Sequence, residues 1–238
     1  MKAVILAGGK GTRLAPYTTV LPKPLMPIGD MPILEIILRQ MRIAGVDHAI
    51  LTVGHLAELL RLFFQGGERI GLKISYSYEE EPLGTAGPLA LVPNLEETFL
   101  VSNGDVLTTL DLTELVAFHH AEGAVATIAM HHRQVNIDLG VLELNGGNQI
   151  AGYIEKPTYD YMVSMGIYVF EPFVLNYIPR EHYLDFPDLV KLLLKDGRKV
   201  VGYPFSGYWQ DLGRADDYEQ AAQDFDTMKS QFLPDYPW

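Results

Sequence analysis

A chain of 238 residues, 48% hydrophobic and 20% charged, has enough apolar matter for one substantial core. Its 18 Lys plus Arg against 30 Asp plus Glu leave a net charge of -12. That field disfavours nucleic acid and anionic membrane surfaces as partners, so any phosphate the chain binds must be held by a local cationic pocket. The lack of cysteine removes disulfides, thiolate metal sites and thiol nucleophiles together. No signal-peptide core or membrane-length apolar run is present, and the expected location is the cytoplasm.

In chain order, residues 2–7 read as a buried strand that opens into Gly8-Gly9-Lys10-Gly11-Thr12-Arg13, with Pro22-Lys23-Pro24 following. Asp30 is placed to cap a helix with Pro32 in its first turn and Ile33, Leu34, Ile37, Leu38 and Met41 on its apolar face. Residues 49–53 form the next strand, and 56–64 a helix closed by Gly66-Gly67. Strand 73–77 leads into a loop over 79–84 and a short helix from Thr85, and strand 98–102 ends in Asn103-Gly104-Asp105. Strands alternating with helices argue for an α/β fold, a Rossmann-like three-layer α/β/α arrangement around a mostly parallel, mixed sheet.

Beyond about residue 123 the pattern changes. Residues 125–131, 139–144 and 150–155 read as strands with little helix between them, and Asn145-Gly146-Gly147 supplies hairpin turn chemistry. A further strand covers 164–170, and helical patterns return at 186–194 and 215–225, flanking strands at 199–204 and 208–212. The expected shape is a single domain with a small antiparallel lobe over the strand ends. The tail from Lys229 is expected to dock or fray.

Several local patterns carry chemistry. The glycine loop after the first strand frees backbone N–H groups for phosphate oxygens, and Arg13 and the proline-flanked Lys23 add cations. A dinucleotide fingerprint needs glycine where Leu14 stands, and a Walker loop needs a Gly-Lys-Ser/Thr that is absent. Asn103-Gly104-Asp105 lies at the carboxyl end of a strand, where open α/β sheets bind ligands, although alone it is a routine turn. Asp211, in Tyr208-Trp209-Gln210-Asp211-Leu212-Gly213, is a second carboxylate, and the two aspartates together suit a hard Mg²⁺ ion. In Glu155-Lys156-Pro157 the acid can accept hydroxyl hydrogen bonds and the lysine can hold a phosphate. His119-His120 and His131-His132 read as surface or structural residues, because strand neighbours face opposite sides and cannot share one metal.

Taken together, the motifs resemble the sugar-1-phosphate nucleotidylyltransferases over nearly the whole chain. The resemblance runs through residues 6–14, Pro22-Lys23-Pro24, Glu81-Pro82-Leu83-Gly84-Thr85-Ala86-Gly87, Asn103-Gly104-Asp105, Glu155-Lys156-Pro157, residues 166–170 and Trp209-Gln210-Asp211-Leu212-Gly213. It is nearest to short mannose-1-phosphate guanylyltransferase-like forms. The resemblance implies a nucleotide-diphospho-sugar transferase fold, with 1–122 the main nucleotide half and 123–213 the main sugar-phosphate half. Residues 214–238 would be a C-terminal helix and tail, with no β-helix domain.

By the same resemblance the partners are a nucleoside triphosphate and a sugar 1-phosphate, with Mg²⁺ as cofactor; a homo-oligomer is compatible with it. Arg13, Lys23, Asp105, Lys156 and Asp211 are the implied catalytic residues, with Asp105 and Asp211 as metal ligands. Leu6, Ala7, Gly8, Gly9, Gly11, Thr12, Glu79, Gly84 and Thr85 are implied at the nucleotide, and Asn103, Gly140, Glu155 and Gly166 at the sugar. Ser164-Met165 and Leu139 depart from the usual residues near the sugar pocket. Glu79 could accept two hydrogen bonds from guanine, whereas a uracil or thymine edge offers one donor, which favours GTP with mannose-1-phosphate or a heptose-1-phosphate. The alternatives are UTP- or dTTP-dependent relatives acting on glucose-1-phosphate or N-acetylmuramate-1-phosphate, a cytidylyltransferase for a smaller acceptor, and a non-catalytic nucleotide-sugar sensor.

Overall fold

A computed structural model describes residues 1–234 and 236. The chain runs β1 (Lys2–Leu6), β2 (Pro27–Ile28), β3 (Met31–Pro32), α1 (Ile33–Ile43), β4 (His48–Val53), α2 (Ala57–Phe64) and β5 (Lys73–Tyr78). It continues through β6 (Phe99–Asn103), β7 (Val106–Thr108), α3 (Leu112–Glu122), β8 (Ala126–Asn136), β9 (Val141–Leu144), β10 (Ile150–Ile154) and β11 (Thr158–Phe170). The last elements are α4 (Phe186–Lys195), β12 (Val200–Phe205), β13 (Trp209–Asp211) and α5 (Ala215–Phe232).

Seven strands form the main sheet in the order β12-β8-β11-β6-β1-β4-β5. β1 pairs in parallel with β4 and β6, β4 with β5, and β8 with β12. β11 pairs antiparallel with both β6 and β8, so it is the one strand of this sheet that runs against the rest. Successive side chains on a strand point to opposite faces, and both faces here are covered. Ala3 and Ile5 therefore enter one core while Val4 enters the other, and Leu100 is split in the same way from Phe99 and Val101. The first core is closed by Ile33, Ile37 and Met41 of α1, Leu60 of α2, Leu115 of α3 and Phe225 of α5. The second is closed by Phe186, Leu189 and Leu193 of α4, with Leu89 and Val174 from short 3-10 turns. The expected three layers are present.

Outside the main sheet, β9 and β10 form the antiparallel hairpin expected around Asn145, and β7 pairs antiparallel with β13. The distal parts of β8 and β11 also pair with each other, from Ser164↔Met130 out to Thr158↔Asn136. Both strands are longer than their apolar segments indicate, because the extension is exposed and gains little from burial on a core face. α1 begins at Ile33 with Pro32 at its N-cap, so Asp30 does not cap it. Met31 and Pro32 are instead drawn into a short ladder with Pro27 and Ile28. The short helix expected from Thr85 is a 3-10 turn over Gly87–Leu91.

α5 extends past the expected end to Phe232, and Phe232 and Leu233 are buried. The Gln40 side-chain amide donates to the carbonyls of Phe232 and Thr108, at 3.1 and 2.8 Å, tying this helix end to β7 through α1. Of the C-terminal tail, Asp235, Pro237 and Trp238 lie outside the described residues. On the other face Phe170 is fully buried, with ring centroids 6.0 Å from Phe99, 5.6 Å from Tyr168 and 5.7 Å from Phe186. Phe170→Ala should lower unfolding free energy by about 3–5 kcal/mol in urea titrations, since a rigid sheet cannot close over the void. A loss below about 1 kcal/mol would contradict this account of the second core.

Candidate functional site

β1 lies between β4 and β6, so the strand order reverses about it and the segments leaving β1 and β6 diverge. A crevice at such a reversal is the usual ligand position of an open α/β sheet. It holds a cavity of about 980 Å³. Leu6, Ala7, Gly8, Gly9, Gly11, Thr12 and Arg13 line it from the loop after β1, with Lys23 behind them. Glu79, Gly84 and Thr85 line a second side, and Asn103 and Asp105 a third. These residues come from four separate stretches of the chain.

Glycine is required at position 104. Gly104 N–H donates to the Leu6 carbonyl at 2.9 Å, and a β-carbon there would lie 2.7 Å from the same oxygen. This contact ties the ends of β6 and β1 together and sets Asp105 at the crevice. Lys23 sits in a 3-10 turn, Lys23–Leu25, braced by Pro22 and Pro24, with its side chain nearly buried. Its ammonium donates to Asp105 Oδ2. Burial of this cation is offset by the carboxylate, and the pair neutralises itself.

Asp211 joins the group through the β7–β13 ladder. It stands opposite Val106, and the Leu212 N–H donates to the Asp105 carbonyl at 3.0 Å. Asp211 Oδ1 is buried without a hydrogen-bond partner among the described residues. The Arg13 guanidinium approaches the same place: a β-carbon on Gly213 would be 2.8 Å from Asp211 Oδ1 and 2.9 Å from Arg13 Nη2. An unpartnered buried carboxylate oxygen, with a second aspartate immediately before the paired strand, fits a hard divalent cation that takes few protein ligands. Among the described residues no group of three or more His, Asp or Glu side chains could hold a metal, so two carboxylates are what the chain offers.

The Glu79 side is held differently. Glu79 Oε2 accepts the Leu83 N–H at 3.2 Å, and Oε1 lies 2.9 Å from where a β-carbon on Gly8 would stand. Burial raises the Glu79 pKa above the ordinary carboxylate range, with the Leu83 hydrogen bond working the other way. Gly84 has φ of +79°, and a β-carbon there would come within 2.6 Å of the Leu184 carbonyl. Tyr183 and Asp185 also line the cavity, as do Lys10 and His55. None of these four was singled out from the sequence. Lys10 stands inside the glycine motif with no role of its own assigned, His55 follows a lone glycine, and Asp185-Phe186-Pro187 looks like an ordinary helix start.

Gly140, Glu155, Lys156 and Gly166 do not line this cavity. Gly166 backs onto the Asn103 side chain. Gly140 lies beside Tyr153, whose hydroxyl donates to Glu155 Oε2 at 3.0 Å, and Glu155 and Lys156 are exposed at the end of β10. His119 and His131 take structural positions. His119 is buried against Thr127 and Glu171, and its pKa is lowered by that burial; His131 meets the Gly207 carbonyl and the Trp209 ring.

A mixed, mostly parallel sheet with a glycine-lined crevice, two cations and paired aspartates defines the class of phosphate-handling α/β proteins. The chain belongs to the nucleotidyl transferase family, whose model matches residues 2–227. It is 37% identical to a UTP–glucose-1-phosphate uridylyltransferase of Synechocystis sp., covering 93% of this chain and 62% of that protein. It is 34% identical to a mannose-1-phosphate guanylyltransferase of Mycobacterium tuberculosis, covering 93% of this chain and 64% of the relative. The chain therefore spans less than two thirds of these relatives. In fold it is similar to a putative glucose-1-phosphate thymidylyltransferase from Bacillus anthracis, with a TM-score of 0.76, 24% identity, and 100% and 97% of the two chains covered.

Because burial raises Glu79, the folded state holds its proton more tightly than the unfolded state. The stability this provides is complete below the unfolded pKa and is lost as pH rises through the folded one. Glu79→Gln keeps an oxygen for the Leu83 N–H. It should therefore be more stable than the parent at about pH 7, with the advantage shrinking toward about pH 4. Denaturant titrations at several pH values check this, and an advantage that does not shrink on acidification would count against it.

Proposed function

We propose that this chain transfers a nucleoside monophosphate from a nucleoside triphosphate to a sugar 1-phosphate, releasing pyrophosphate and forming a nucleotide-sugar. The observation that carries the reading is the convergence of Arg13, Lys23 and Asp105 at one crevice beside the glycine loop, with Asp211, which does not itself line the cavity, buried against Gly213 of its wall. An oxygen of the sugar phosphate bonds to the α-phosphorus as the bond to the bridging oxygen breaks, and pyrophosphate carries away the electron pair. The incoming phosphate is already a nucleophile, so the protein has to supply position and charge.

In this reading the amides of the loop from Gly8 to Arg13 cradle the triphosphate, and Arg13 stabilises charge on the departing pyrophosphate. Lys23 offsets charge on the phosphate oxygens while braced by Asp105. Asp105 and Asp211 would hold a Mg²⁺ ion, which when bound neutralises the phosphates and polarises their oxygens. Lys156 and Glu155, on the exposed lobe, are the groups assigned to the sugar phosphate and its hydroxyls, with Gly140, Asn103 and Gly166 completing that side.

For the base, Glu79 supports GTP, with mannose-1-phosphate or a heptose-1-phosphate as acceptor. A carboxylate is an acceptor-only group and matches two adjacent donors of guanine. The similarity to the Synechocystis enzyme favours UTP with glucose-1-phosphate as the second reading. Pyrophosphate release from a matrix of four triphosphates against these sugar phosphates separates the two. Strong preference for UTP or dTTP overturns the guanine assignment, and no turnover in any cell of the matrix, with tight nucleotide-sugar binding, supports a sensor.

Asp105→Asn should lower turnover by about a thousandfold or more, because it weakens the metal pair and leaves Lys23 facing a neutral amide. It should also cost about 1–3 kcal/mol of stability, the loss expected when a buried cation gives up its partner. Circular dichroism confirms the fold before turnover is measured. Near-parental turnover at saturating Mg²⁺ would overturn the metal assignment.

A further inference from the structure

Asp185 stands at the N-cap of α4, yet its carboxylate makes no cap bond to that helix. An aspartate at this position ordinarily accepts an N–H of its own first turn. Here Oδ1 instead crosses to a segment far away in the sequence, accepting Thr85 N–H at 2.9 Å and Thr85 Oγ1–H at 3.1 Å. Thr85 Oγ1 in turn accepts the Phe186 N–H at 2.8 Å, so the helix start is capped by the partner segment. The caps are exchanged. Oδ2 of the same aspartate accepts the Tyr183 hydroxyl at 2.7 Å.

Backbone bonds extend this exchange on both sides. Leu184 N–H donates to the Leu83 carbonyl at 2.9 Å, and Ala86 and Gly87 N–H donate to the Leu184 carbonyl at 2.8 and 3.0 Å. Leu83 is also the residue whose N–H anchors Glu79. One connected set of bonds therefore runs from Asp185 through residues 83–87 to the Glu79 carboxylate. The N–H and the hydroxyl of Thr85 are both committed within this set. Tyr183 is 65% exposed, lines the cavity and spends its hydroxyl on Asp185, which leaves its ring as the available face.

We infer that Asp185 is a positioning residue for the nucleoside end of the cavity, fixing Gly84, Thr85 and through them Glu79, with the Tyr183 ring beside the bound base or ribose. This rests on reading the cavity as a nucleoside triphosphate site. Burial works to raise the Asp185 pKa, but the bonds from Tyr183 and Thr85 outweigh it and hold the group below the usual carboxylate range, so the acceptor is ionised at neutral pH. No hydrogen bond of the set goes to the loop from Gly8 to Arg13; Glu79 Oε1 comes close to it only at Gly8. Asp185 should govern the nucleoside part of binding and leave the phosphate part alone.

Calorimetric titration with GTP, UTP and inorganic triphosphate, each with Mg²⁺, tests this on the parent chain, Asp185→Ala, Asp185→Asn and Tyr183→Phe. Asp185→Ala should weaken the nucleotide that the parent binds by about tenfold or more, while triphosphate affinity changes by less than about twofold. Asp185→Asn should recover most of the loss, since its amide oxygen can still accept both Thr85 bonds, and Tyr183→Phe should lose less than Asp185→Ala. If Asp185→Ala fails to fold, Thr85→Val, which removes only the hydroxyl bridge, should show the same selective loss at smaller size. Equal weakening of nucleotide and triphosphate, or no weakening of the nucleotide, overturns the inference alone. A parent that binds none of the three probes overturns the triphosphate-site reading and this inference together.

Discussion

The candidate site depends on a short antiparallel ladder, β7 against β13. Each strand is only three residues long, and neither contributes to the main sheet. Their pairing nevertheless sets Asp211 beside Asp105 and directs Arg13, Gly213 and the buried Asp211 oxygen to one point. Around the ladder the molecule adds braces. Gln40 reaches Thr108, the Tyr208 hydroxyl donates to Asp224 at 2.9 Å, and the Gln210 amide donates to Asp217 at 2.7 Å. α1 and α5 thereby hold a small element that would not persist alone, since a two-stranded ribbon in water is marginal.

Much of the fold was legible because its strands are buried on both faces. An uninterrupted run such as residues 3–6 has no other comfortable place in a soluble chain, and its partners around Ala49 and Phe99 read the same way. Legibility failed where burial stopped. The outer halves of β8 and β11 are held by each other's backbone, and backbone pairing leaves no hydrophobic trace in the sequence. At the start of α1, cap chemistry pointed to Asp30, but the β2–β3 ladder claimed Met31 and Pro32 first.

The site divides along the same line. Gly8, Arg13, Lys23 and Asp105 announced themselves because each sits in a compact motif whose meaning is local: a turn, a proline-braced cation, a strand end. Asp185 and Tyr183 did not, because their significance lies in Thr85, about a hundred residues away in the sequence. No spacing rule connects the two segments. Gly140 came from likeness to a family alone, whereas Glu155 and Lys156 also read as an acid and a cation at a strand end; all three stand on the exposed lobe outside the cavity.

The pairing of Val106 with Asp211 has a temporal side as well. A ribosome releases the glycine loop, Lys23 and Asp105 long before residue 211 emerges. During that interval the Lys23–Asp105 pair can already form, while the second aspartate does not yet exist on the folded surface. Contacts of such long sequence separation form late, because the entropy of closing the intervening chain has to be offset first. In the growing chain the glycine loop, Lys23 and Asp105 therefore precede the second aspartate, so a chain terminated before residue 211 would lack one of the two carboxylates.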